Sequence, residues 1–203
     1  MTGRRATTGR VQRRRPVDPG GERLSGLPRA AWLGIAGGVA ALLLIVVVLI
    51  IGAGNEAQLQ ADVQRFEIAS RNHVQGNVPY PMTPPAGGDH APAWQNCGYY
   101  PQPIVPESGV HSLEHGAVWV TYRPDLPAGE VDALRRLATT QAFTLVTPFD
   151  GLPSPIVASA WGRQVALQSA DDALLSTFIR EFRQGPTTPE AGAACTGGIG
   201  TPQ

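Results

Sequence analysis

The stretch His111-Ser112-Leu113-Glu114-His115-Gly116-Ala117-Val118-Trp119-Val120-Thr121-Tyr122 changes character halfway along. Its first half crowds two imidazoles and a carboxylate into five residues, and its second half is a short apolar run of strand formers, read as a buried strand. The regular part of the fold is read outward from that strand. Arg123-Pro124-Asp125-Leu126-Pro127 breaks it, and residues 129–140 then set Val131, Leu134, Leu137 and Ala138 on one helical face. Residues 143–147 read as a second strand, closed by the turn Pro148-Phe149-Asp150-Gly151. Residues 156–161 and 164–167 flank Gly162-Arg163, where glycine in the first central position suits a type II′ hairpin. A last helix is expected with Ser169 as cap, Asp171 and Asp172 at its positive end and Gly185-Pro186 as its stop. Leu174, Leu175, Phe178, Ile179 and Phe182 form its apolar stripe. The order strand, helix, strand, hairpin, helix predicts an α+β domain, an antiparallel or mixed sheet covered on one face by two helices.

Residues 30–51 hold no charge, amide or hydroxyl. As a helix they would span about 33 Å against a hydrocarbon core of about 30 Å, so they read as a transmembrane helix. A cleaved signal peptide would carry an apolar region of about 7–15 residues and a small-x-small site, which this longer run does not match. Charge agrees: residues 1–51 carry eight arginines against Asp18 and Glu22, whereas residues 52–203 carry eight arginines against fourteen acids. That asymmetry predicts a single-pass protein of the cell membrane, its N-terminus cytoplasmic and its acidic C-terminal part extracytoplasmic. Trp32 suits an interfacial anchor, and Gly34 and Gly38 form a small-xxx-small pair through which two copies could dimerise. The leader, residues 1–29, has almost nothing apolar to bury and is read as a disordered basic segment held near anionic lipid. A nucleic-acid partner is not expected. Lysine is absent, and Ala, Gly, Pro and Arg are heavily used, an actinobacterial-like composition that says nothing of chemistry.

Residues 52–72 are read as a juxtamembrane helix, capped by Asn55 with Gln58 in a capping box and carrying Leu59, Val63 and Phe66 at helical spacing. They deliver His73, the first residue of the extracytoplasmic domain at 73–203. From Gly76 to Gly109 there are eight prolines and five glycines, so neither a helix nor a central strand is expected to persist. Tyr80, Trp94, Tyr99 and Tyr100 argue that this stretch is an ordered wrap. Cys97 lies in it and Cys195 in the irregular tail; outside a bacterial membrane an isolated pair is most simply a disulfide. On the chain-entropy account such a bridge contributes roughly 4–5 kcal/mol. Free thiols or thiolate metal ligands are the rival readings.

All four histidines fall between residues 73 and 115, and three readings of them stand side by side. In the first, His73, His90, His111 and His115 supply imidazole ligands to copper or zinc, with Glu114, Asp89 or Met82 as auxiliary ligands. A thioether from Met82 would favour copper, and imidazoles with a carboxylate suit either metal. In the second, His111-x-x-Glu114-His115 spells the inverted zincin pattern of a zinc hydrolase. Its setting argues against an enzyme, because Gly116 begins a strand where the motif needs a stable helix. In the third, the histidines bond backbone groups left unpaired by turns, Glu114 pairs with Arg123 or a histidine, and the domain is a structural or partner-binding envelope module. Ser108 and Ser112 have no nucleophile-elbow context, and no phosphate loop, dinucleotide fingerprint or haem-attachment motif is present.

The succession His73-Val74, Tyr80, Pro84-Pro85, Gly88-Asp89-His90, Cys97-Gly98-Tyr99, Val110-His111-Ser112-Leu113-Glu114-His115-Gly116-Ala117-Val118, Ala160-Trp161-Gly162 and Cys195 resembles the bacterial domain of unknown function numbered 3105. The resemblance covers roughly residues 65–200. It implies a membrane-anchored, extracytoplasmic module without an established activity, so function has to be argued from the site.

Overall fold

A computed structural model describes residues 29–203, and side chains from residue 32 onward. The basic leader expected at residues 1–29 therefore lies almost wholly outside the described residues. The described residues fall into two units, divided between Ile45 and Val46. The described part of the first is the start of helix α1 (Arg29–Asp62), in which Trp32–Asp62 is long and apolar enough to cross a membrane. Leu33, Leu42, Leu44 and Ile50 are all exposed along it.

Within the second unit, α1 continues without interruption to Asp62, so Asn55 caps nothing and no separate juxtamembrane helix spans residues 52–72. The helical spacing of Val63 and Phe66 is overridden by sheet pairing. Residues Gln64–Arg65 form strand β1 and pair antiparallel with Gln164 and Arg163, and the Phe66 amide donates to the Gly162 carbonyl at 3.0 Å. Leu59 and Val63 are buried in the domain core.

The sheet has six strands: β1, β2 (Gly98–Tyr99), β3 (Val118–Tyr122), β4 (Thr144–Pro148), β5 (Ile156–Ala160) and β6 (Arg163–Leu167), in the spatial order β1-β6-β5-β3-β4-β2. It is mixed, as the element order predicts. Helix α3 (Ala128–Thr140) carries the chain from β3 over to β4, and that crossover makes the two strands parallel, with Trp119 beside Leu145 and Val120 beside Val146. Strands β5 and β6 form a hairpin whose turn is Trp161-Gly162, one residue earlier than expected. Gly162 sits in the second central position at φ 68, where a non-glycine residue would be strained. Helix α4 (Ala173–Phe182) is capped by Asp172, whose side chain accepts from the Leu174 amide at 2.9 Å; Ser169 instead donates to Asp171.

Strand alternation sends Val118, Val120 and Tyr122 into one core with Leu134 of α3 and Leu174, Phe178, Ile179 and Phe182 of α4. Trp119 and Leu145 face the other way, into a second core with Val110, Leu113, Tyr100 and Trp161. Val110 and Leu113 belong to a helix where none was expected, α2 (Pro106–Glu114). Pro106 occupies its first turn, where a missing N–H costs nothing, so the proline that ends the wrap also starts the helix. Cys97 and Cys195 lie at disulfide distance, Cα to Cα 5.4 Å, which ties the wrap to the C-terminal tail.

Candidate metal centre

Helix α2 lies on the sheet because Gly109 permits it: a Cβ there would stand 2.7–3.0 Å from the ring of Trp119. With Val110 and Leu113 turned to the core, His111 and Glu114, three residues apart, share another face and are both buried. Two further imidazoles reach that face, one from the wrap and one from just before it. His73 and His90 are partners in a short parallel bridge: the Val74 amide donates to the His90 carbonyl at 2.8 Å and the His90 amide to the Asn72 carbonyl at 3.0 Å. The Ala91 amide donates to the Glu107 carbonyl and the Gln95 amide to that of Ser108, which holds this segment against α2.

One ligand atom from each of His73, His90, His111 and Glu114 falls within 4.8 Å of the others. The ring centroids of His73, His90 and His111 are 4.7–4.9 Å apart. Nδ1 of His90 donates to the Gly88 carbonyl at 2.8 Å and Nδ1 of His111 to the Ala91 carbonyl at 2.7 Å. A backbone carbonyl only accepts, so these contacts put the proton on Nδ1 and leave Nε2 with its lone pair. The same arrangement fixes ring orientation in metal-ligating histidines. His90 is fully buried, and its Nε2 lies 2.8 Å from Glu114 Oε2 without making an aligned hydrogen bond, so it is an unpartnered polar atom in the interior. Burial pushes the His111 imidazole down to about 4, helped by the neighbouring histidines His115, His90 and His73 and opposed by its bond to Ala91. His111 is therefore neutral near pH 7, the form that binds a metal.

His115 stands beside this group without joining it. Its ring packs edge-on to His111 at 4.6 Å, but Nδ1 donates to the Ala194 carbonyl at 2.7 Å and Nε2 lies 3.7 Å from Glu190. Met82 lines a surface groove with Ile68, Val78, Tyr80 and Gly88 that contains none of the four residues. Asp89 accepts from the Asn72 amide at 2.8 Å, a bond that holds its carboxyl below the usual range. Glu114 does not pair with Arg123, which donates to the Leu152 carbonyl; its neighbours are His90, His73 and Arg71. The zincin spelling is thus redistributed: the glutamate stands with the ligand atoms and the second histidine of the motif stands outside them.

Several participants are invisible to motif reading. The carbonyls of Gly88, Ala91 and Ala194 have no sequence signature. Arg71, 3.8 Å from Glu114, precedes His73 by two residues, and that adjacency was its only signal. Trp94 packs against His111 and His115 at 5.7 and 4.9 Å, and Trp161 against His90 at 5.9 Å.

No curated protein and no solved structure matches the chain. A family model described as Protein of unknown function (DUF3105) matches residues 73–197, a span that includes the four clustered residues and both cysteines. That match takes in well over half of the sequence, and the chain belongs to this family.

Proposed function

We propose that the domain binds a divalent transition metal, zinc or copper(II), through Nε2 of His73, His90 and His111 and a carboxylate oxygen of Glu114. One observation carries the reading: three imidazoles and one carboxylate converge within 4.8 Å, and two of the imidazoles are locked by Nδ1 bonds that leave Nε2 free. Three nitrogens with one oxygen suit zinc and copper(II) alike. Met82 lies in a groove apart from the cluster, which counts against a thioether ligand and the preference for copper it would bring. A hydrolase of the zincin kind would need His115 as ligand and Glu114 as free base, and their present partners oppose both roles.

The reading extends to location. A long exposed apolar helix behind a basic leader and before an acidic domain supports a single-pass anchor in the cell membrane, cytoplasmic N-terminus and extracytoplasmic domain. The paired cysteines suit that compartment.

The test is metal analysis and thermal unfolding of the full chain in detergent. Free Zn²⁺ or Cu²⁺ at about 100 times Kd is expected to add about 2.7 kcal/mol, roughly 5–10 °C in Tm for a domain of this size. His90→Ala and Glu114→Gln should abolish the gain, and copper should quench Trp94 and Trp161 emission. No bound metal and no change in Tm would leave the histidines as a hydrogen-bonded structural cluster of an envelope module.

A further inference from the structure

Resting on the metal reading, we propose that the loaded site takes a small carboxylate anion as an additional ligand, with one oxygen on the metal and the other on the guanidinium of Arg71. The first ground is access. His90, His111 and Glu114 are buried, whereas the side chains of His73 and Arg71 are 49% and 58% exposed. Solvent reaches the cluster from the side of the chain that carries residues 71 and 73.

Charge is the second ground. Three neutral imidazoles and one carboxylate leave a divalent ion with one net positive charge, to which Arg71 adds another. The nearby acids Asp89 and Glu107 are committed elsewhere, to the Asn72 amide and to the Val78 amide, each at 2.8 Å. An anion from solution is the group that balances the site.

Reach is the third. Arg71 Nη1 stands 3.8 Å from Glu114 Oε1, while Oε2 faces His90 and His73. Arg71 therefore stands at the exposed edge of the cluster, beside the carboxylate whose other oxygen faces the histidines. A planar guanidinium pairs with a planar carboxylate through two parallel bonds, and zinc sites can expand from four to five ligands. A carboxylate is the anion that fits both neighbours at once.

The experiment loads the full chain in detergent with Co²⁺ and follows its visible d–d bands during titration with acetate. The wild type should show a saturable spectral change. Arg71→Ala should weaken acetate by about tenfold or more, a larger factor than any change in its Co²⁺ affinity, and Arg71→Lys should recover part of the loss. The same acetate affinity in wild type and Arg71→Ala, or no change with wild type, would overturn the proposal and leave the metal reading intact. Parallel loss of Co²⁺ and acetate in Arg71→Ala would also overturn it, since Arg71 would then only position Glu114. A chain that takes up neither Co²⁺ nor Zn²⁺ would overturn both readings.

Discussion

The two faces of the central sheet are held by opposite means. On one, Val118, Val120, Ile156 and Val165 meet Leu134 and the leucine and phenylalanine stripe of α4, and the tyrosine hydroxyls at its edge, Tyr99 and Tyr122, lie 3.4 Å from each other. On the other, beyond the layer of Trp119, Leu145 and Leu113, the interior holds His90, Gln95, Glu107, Ser108, His111, Ser112, Glu114 and His115, all buried. Polar groups in such number are tolerated only when each has a partner. The wrap and the C-terminal tail supply most of them: the Ser112 hydroxyl donates to the Gln95 carbonyl, the Glu107 carboxylate accepts from the Val78 amide, and the histidines donate to Gly88, Ala91 and, in the tail, Ala194, while Nε2 of His90 is left without a partner. Irregular backbone leaves carbonyls unspent, which a helix or sheet would have consumed. One face is thus a stability core and the other a binding layer, and the two should be separable by mutation.

Phe178→Ala tests that separation most severely. Phe178 is fully buried among the apolar residues of its face, and its truncation should cost about 3–5 kcal/mol and lower Tm by roughly 10 °C. Below the new Tm the variant should still bind one metal with affinity near wild type, as read by metal analysis and tryptophan quenching. Loss of metal in the folded variant would show that the faces are one cooperative unit.

Gly109→Ala probes the other face and reverses an ordinary rule. In an open helix this change stabilises by roughly 0.5–1 kcal/mol. Here the added Cβ would meet Trp119 at 2.7 Å, and Trp119 has little room to yield, being fully buried with its Nε1 donating to Thr147 at 2.9 Å. Helix α2 must lift instead, at a cost of about 1–3 kcal/mol. Since α2 carries His111 and Glu114, metal affinity should fall at least about tenfold, out of proportion to the stability lost. Unchanged affinity would mean that the ligands are set by the wrap alone.

The same division explains what the sequence makes legible. The apolar face is written in periodicity: Val118, Val120 and Tyr122 alternate, and Leu174, Phe178 and Phe182 recur every four residues, so the succession of strands and helices from β3 onward and the helix faces follow from local spacing. The binding layer is written in backbone pairings between distant segments. Nothing in His73 and His90 announces that they bridge each other, and nothing in His115 reveals that Ala194 and Glu190 hold it away from its neighbours. Helix α2 is hidden for a further reason: proline and glycine density argues against a helix, yet Pro106 stands at the one end where proline is welcome and Gly109 where the helix must approach an indole. The helix expected at residues 52–72 errs in the opposite sense, because apolar spacing that suits a helix was spent on docking Leu59 and Val63 and on pairing β1 with β6.

The smallest effect concerns protons, and it sharpens the difference between the faces because the stability core holds no histidine. His111 titrates near 4 in the folded chain, against about 6.5 for an unfolded one. Above pH 6.5 both states are neutral at this residue. Between 6.5 and 4 the unfolded state binds the proton and the folded state refuses it, so stability of the metal-free domain should fall as pH falls through that window, by at most about 1.4 kcal/mol per unit for one proton. Below 4 both states are protonated and this contribution stops changing. His111→Asn isolates the effect, since its side-chain amide can still donate towards the Ala91 carbonyl but carries no titrating group. Urea unfolding at pH 7, 6, 5 and 4.5 should give a shallower pH slope for the variant than for wild type, the difference being one proton. Zn²⁺ should steepen the wild-type slope, because protons then compete with the metal for Nε2, and should leave the variant's slope nearly unchanged. Equal slopes in the two proteins would mean that His111 opens to solvent before it protonates, so that this part of the layer breathes independently of the core beneath it.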